Sequence, residues 1–239
     1  MTRETKRDQP ICVCADMVFA ALCLTLIQTD PKATLIEAMS HYQTLNAFSM
    51  SIQHKDSSGL FPGQYTQSLQ WKKGGQFELL VTKPPVFADK DRNSPAPNYF
   101  SDGEHIVALY PNGHQVVKTL ETSLNSVPGW DVSGGLILSF LQDTTTAKII
   151  RNDVKEIQLT YAFGTAKQWR GQPVREILAG VKAGDVESGS IHLYLDATLP
   201  KLLGVTMKMD PKGAEGYMVF ENQKENPALS DSLGKVKSE

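Results

Sequence analysis

From about residue 47 onward, apolar and polar side chains change places at every second position, in one short segment after another, almost to the C-terminus. Phe48, Met50 and Ile52 alternate with Ser49, Ser51 and Gln53, and Tyr65, Gln67, Leu69 and Trp71 alternate with Thr66, Ser68 and Gln70. Phe77, Leu79 and Val81 continue the pattern, and Lys73-Gly74-Gly75 between Trp71 and Phe77 reads as a hairpin turn. A period of two places one set of side chains in a core and the other in water, which is the signature of half-buried antiparallel strands.

The second half repeats it. Ile157, Leu159, Tyr161 and Phe163 form one strand, and Val174 to Val181 pairs with it across Gly171-Gln172-Pro173. Ile191, Leu193 and Leu195 form another, followed by Val205, Met207 and Met209 and by Gly216 to Glu221. Between the halves, Asn98–Ser101, Glu104–Tyr110 and Gln115–Leu120 read as strands joined by Asp102-Gly103 and Pro111-Asn112-Gly113 turns. The total is about ten strands, too closely spaced for the crossover helices that parallel sheets need. Residues 83–98, rich in proline, asparagine and charge, read as a long loop.

Two segments carry a helical period instead. Asp30-Pro31 is an N-cap acceptor with proline in the first turn, and Leu35, Ala38, Met39, Tyr42 and Leu45 then share one face. Asp131 caps a shorter helix from Ser133 to Leu141, with Leu136, Ile137, Phe140 and Leu141 on its apolar side. Two helices cannot cover both faces of a large sheet. The expected architecture is mainly β (α+β): a curved antiparallel sheet or unclosed β-barrel, with the two helices over its concave face.

Ahead of this body, residues 1–28 join a polar stretch bearing Arg3, Lys6 and Arg7 to an apolar run from Met17 to Leu24. That is the order of an export signal, shorter than the roughly 20 residues of a spanning helix. It reads as a cleaved signal peptide or a retained membrane tether, and the competing reading is a buried N-terminal helix. All three cysteines, Cys12, Cys14 and Cys23, lie in it, so the folded body has neither disulfide nor thiol chemistry. Residues 227–239 read as a polar, loosely held tail.

A formal charge of -2 gives no footprint for nucleic acid. Neither a nucleophile elbow nor a metalloprotease, phosphate-loop or dinucleotide motif occurs, and the histidines His41, His54, His105, His114 and His192 fall at no metal-ligand spacing. The sequence thus calls for no catalytic residue, no metal and no cofactor. His105 beside Asp102 reads as turn chemistry, and His192 as a surface or satisfied strand residue. The inner-face aromatic and methionine side chains stand out instead, since methionine suits adaptable apolar surfaces. Trp71, Phe77, Leu79, Leu193, Met207 and Met209 are the leading candidates to line an apolar ligand cavity, and the competing reading is that such side chains simply fill a core.

Three stretches carry a family resemblance: LIEAMSHYQTLNAFSMSI; GQYTQSLQWKKGGQFELL with YFSDGEHIVALYPNGHQVVKTL; and IHLYLDATLPKLLGVTMKMDPKGAEGYMVFENQKENPALSD. In order and spacing they resemble the periplasmic outer-membrane lipoprotein carriers, the LolA/LolB-like superfamily. The resemblance implies one such domain over residues 29–226, with helices as a lid over an apolar cavity that shields the acyl chains of lipids or lipoproteins. It also implies a periplasmic location, a monomer, and a lid contact at Lys73, where the family carries arginine. Gly74 follows where proline is usual, and lysine offers a point charge rather than a planar fork. The same fold serves as a sensing or interaction module and in at least one enzyme, so three functions stay open: carrier, envelope module and, least favoured, cavity enzyme.

Overall fold

The computed structural model describes residues 30–56, 63–86, 97–119, 132–155, 158–183, 186–209 and 214–235, and Pro31–Glu239 forms one compact unit. The expected signal segment, residues 1–28, lies outside the described residues, as does 87–96 of the expected loop.

Helix α1 (Pro31–Thr44) buries Leu35, Ala38, Met39 and Tyr42, the face that the sequence marks. The chain then enters strands β1 (Ala47–Asp56), β2 (Gly63–Lys72), β3 (Gln76–Val86), β4 (Asn98–Asp102), β5 (His105–Leu109) and β6 (Gln115–Thr119). Helices α2 (Val132–Leu141) and α3 (Thr145–Ile150) interrupt it. Strands β7 (Gln158–Phe163), β8 (Gln168–Trp169), β9 (Gln172–Ala183), β10 (Val186–Asp196), β11 (Leu202–Met209) and β12 (Ala214–Glu225) complete the order.

All described pairings are antiparallel, in the order β6-β5-β4-β3-β2-β1-β12-β11-β10-β9-β7, with β8 paired to β9 off this path. The end strands β6 and β7 are not paired with each other, so the sheet is not closed into a barrel. The seam between the two meanders is β1 with β12, which joins the first strand to the last. Non-local closure of this kind is slow to form, because the whole chain must be present before it can be made.

The described residues form twelve strands, against the expected ten or so. The 83–98 loop starts later than its composition suggests, because β3 runs to Val86 despite Pro84 and Pro85. Between β7 and β9 the simple Gly171-Gln172-Pro173 turn gives way to a loop and the short strand β8. Helix α3 was not anticipated. Thr144 caps it, its hydroxyl accepting from the Ala147 amide at 3.1 Å.

Two asparagines near the C-terminus turn out to be backbone devices. Asn222 (φ 54°) and Asn226 (φ 48°) both sit in the left-handed region, which asparagine tolerates better than most residues. Register against β1 shifts between Ser49 and Ser51, opposite Lys224 and Glu221, so Asn222 lies in a bulge. Bulges re-aim side chains. Here Gln223 reaches inward, its Oε1 accepting from the Tyr42 hydroxyl at 2.7 Å and its Nε2 donating to the Leu202 carbonyl at 2.7 Å. Asn226 Oδ1 accepts from the Asn46 and Ala47 amides and so fixes the junction of α1 and β1.

The polar segment after β12 is held more closely than its composition suggests. Lys72 Nζ donates to the Ser230 carbonyl and pairs with Asp231, Leu233 is buried, and the Gly234 amide donates to Glu78. The loose tail expected from composition is corrected for residues 230–235: one leucine and a few backbone contacts suffice to dock it.

Candidate functional site

The inner face is a continuous apolar surface under the helices. Phe48, Met50 and Ile52 (β1), Leu69 and Trp71 (β2), Phe77 and Leu79 (β3), and Tyr99 (β4) join Leu193 and Leu195 (β10), Val205 (β11), and Met218 and Phe220 (β12). From α1 come Leu35, Ala38, Met39 and Tyr42, and from α2 Leu136, Ile137, Leu138, Phe140 and Leu141. At the centre the Tyr42 ring meets Phe48 and Phe140 edge-on, at 5.2 and 5.7 Å between centroids. Its hydroxyl donates to Gln223 and accepts from the Leu202 amide. Burial pushes the Tyr42 phenol well above its ordinary value, so it stays protonated and keeps donating.

The sequence-derived candidates divide into two groups on this face. Trp71 lies opposite Phe77 across β2 and β3, and Leu79 lies opposite Leu69 on one side and Tyr99 on the other. All three are buried, and Trp71 Nε1 points to Gln142 Oε1 at 3.4 Å. Leu193 and Met207 sit across the seam on β10 and β11; Leu193 is buried and Met207 packs partly buried against the same core. The backbone of Met209 pairs with Ala214 at the end of β11, and its side chain lies outside the described residues. Lys73 is exposed in the turn after β2. Its amide donates to the Asn46 carbonyl at 2.8 Å, two residues beyond the end of α1.

One end of this face is polar. His54 on β1 lies opposite Tyr65 on β2, with the rings stacked at 4.0 Å and 3° apart. His54 Nε2 sits 2.9 Å from Gln67 Oε1. All three residues are buried.

Sequence reasoning missed a second buried cluster, on the outer face of the C-terminal half. Trp169 of β8 stacks on Tyr194 at 4.8 Å and 10°, and lies over Gly204, where an added Cβ would stand 2.0 Å from the indole ring and 2.6 Å from the Met218 carbonyl. Beside it, His192 Nδ1 meets Glu176 Oε1 at 2.8 Å, and the Ala166 amide donates to Glu176 Oε2 at 2.8 Å. Gly164 is pressed so close that a Cβ would fall 2.0 Å from that same oxygen. Burial alone would raise the Glu176 carboxyl, but the Ala166 amide, His192 and the Thr165 amide outweigh it and hold it below its ordinary value. His192 is thus satisfied, as expected of it. Ser190 Oγ stands 3.4 Å from its other ring nitrogen. A cleft of about 390 Å³ adjoins Trp169, lined also by Arg170, Gln172, Lys201 and Asn222.

No family model and no curated protein matches the sequence. Solved structures do match. The lipoprotein LppX of Mycobacterium tuberculosis superposes at TM-score 0.50 with 7% identity, over 84% of this chain and 97% of its own. An uncharacterized conserved protein from Thermus thermophilus superposes at 0.51 with 7% identity, over 85% and 92%. A LolA superfamily protein from Nitrosomonas europaea aligns over 86% and 97% at 9% identity, with a TM-score of 0.41 that is too low to carry an argument. At such identities the likeness is one of fold alone: this chain shares its overall fold with LppX and the Thermus thermophilus protein.

Proposed function

We propose that this chain is a non-catalytic binder of an apolar ligand, the acyl chain of a lipid or lipoprotein, in the bacterial cell envelope. The observation that carries the reading is the inner face itself: apolar side chains from β5 across to β7, on a sheet left open, covered by two helices of 14 and 10 residues and one of six. In this reading the helices part from the sheet and admit a chain between α1, α2 and the Trp71–Phe77–Leu79 and Leu193–Met207 groups. Lys73, whose amide donates to the Asn46 carbonyl beside the α1–β1 junction, would hold the lid in the same reading. An exported, periplasmic setting fits. No helix among the described residues is long and apolar enough to cross a membrane.

Burial of each methylene stabilises by roughly 0.8 kcal/mol, so about ten methylenes give on the order of 8 kcal/mol before ordering costs. Titration with fluorescent fatty-acyl probes of increasing length, at low and high salt, tests this. Affinity should rise with chain length and ignore salt. Binding that collapses in salt, or is indifferent to chain length, would mean that a headgroup is recognised instead.

Ser190, His192 and Glu176 stand in the order of an activated nucleophile. We read them as structural, because the glutamate also holds the Ala166 amide and thereby docks the strand β8 segment. A fluorophosphonate probe should leave Ser190 unlabelled. The outer cleft favours a second reading, an envelope interaction module. Co-purification of a protein partner that is lost on Arg170→Glu, with acyl binding intact, would support it.

A further inference from the structure

We infer that the His54–Tyr65–Gln67 end of the inner face receives the carbonyl group at the head of the bound acyl chain. The inference rests on the apolar-ligand reading and names the ligand more closely: an acyl ester or amide, rather than a plain hydrocarbon.

Going along the inner positions of β1 and β2, the side chains change from Phe48, Met50, Ile52, Leu69 and Trp71 to His54, Tyr65 and Gln67. Gln67 lies opposite Ile52 on one side and Val81 on the other, so its amide projects where the ladder is otherwise apolar. It is 1% exposed. Its Oε1 is engaged by the His54 ring, which is itself held flat against Tyr65. Its Nε2 has no hydrogen-bond partner among the described residues. An unmet buried amide donor is costly, and native proteins rarely keep one without a use. Here that N–H belongs to a side chain held through its Oε1 by the stacked His54, beside the apolar neighbours Ile52 and Val81. A carbonyl oxygen is the matching group: it accepts one hydrogen bond, carries no charge that would oppose burial, and stands at the head of an acyl chain. An alkane of equal length would leave the donor unmet.

The test is competition of methyl laurate and n-tridecane, both delivered from cyclodextrin, against a bound fluorescent acyl probe. The wild-type protein should prefer the ester by about five- to tenfold, the value of one neutral hydrogen bond. Gln67→Leu and the closer isostere Gln67→Met should bind the two alike. In wild-type protein, the Gln67 side-chain amide resonances should shift on addition of the ester and not of the alkane, a readout that needs no variant to fold. Equal affinity in wild type, or an ester preference that survives both substitutions, overturns the inference and leaves the apolar-ligand reading standing. Failure of both competitors to displace the probe removes that reading, and the inference with it.

Discussion

Under α1 and α2 every strand from β5 round to β7 contributes to the apolar core, whereas on the opposite face the buried residues gather mostly in the C-terminal half, with Tyr194, Val219, Glu176 and Thr206 buried and Trp169 half-buried. On the outer side of β1 and β2, the polar residues Ser49, Ser51, Gln53, Thr66 and Ser68 remain half-exposed. The inner face is held mainly by buried apolar area, and most of its members could exchange for another apolar residue of like volume. The outer cluster is held by fit: an indole seated on a glycine, and a carboxylate with named donors. The first arrangement can yield to a ligand, while the second fastens a hairpin in one place.

The difference can be broken from either side. The largest effect is expected inside. Phe77→Ala removes a fully buried ring between Trp71 and Ser101 on the neighbouring strands and should destabilise by about 3–5 kcal/mol, read by urea denaturation. A loss below about 1 kcal/mol would show that the helices and sheet close readily over the gap. Outside, Gly204→Ala forces a methyl group against the Trp169 ring and the Met218 carbonyl, at a cost of roughly 1–3 kcal/mol. The near-UV circular dichroism of the Trp169–Tyr194 stack should weaken with it, and an unchanged spectrum would mean that the stack is not fixed in solution.

The smallest effect is electrostatic. Glu176 titrates below its ordinary value of 4.5 in the folded chain. Its contribution is therefore present above that value and lost as pH falls through the lower folded value. Glu176→Gln should cost about 1 kcal/mol at pH 7 and progressively less below pH 4. A deficit that grows on acidification would reverse the sign and contradict the arrangement.

These regions also differ in how far they could be read from sequence. The inner face was legible because alternation is a local signal: Phe48-Met50-Ile52 and Leu69-Trp71 each declare a buried side without reference to any other segment. The same alternation put Gln67 on that side, though nothing local shows that its amide would go without a partner. The outer cluster was not legible. Leu193, Tyr194 and Leu195 are all buried, and so are Glu176 and Ile177, because β8 and the segment at 164–167 fold back over the sheet. The sequence marks only the Gly171-Gln172-Pro173 turn there, and Arg170 (φ 50°) occupies a turn position that asparagine or glycine usually fills. The bulge at Asn222, which sends Gln223 to Tyr42, likewise depends on register between strands some 170 residues apart in sequence.

Tryptophan fluorescence can place a bound chain on one face or the other. Two proteins are needed, each with Trp130 replaced by phenylalanine: one retaining Trp71 alone through Trp169→Phe, the other retaining Trp169 alone through Trp71→Phe. Titration with a brominated fatty acid should quench Trp71, on the inner face, and leave Trp169 bright. Quenching of Trp169 with Trp71 unaffected would put the apolar ligand on the outer cleft and contradict the account.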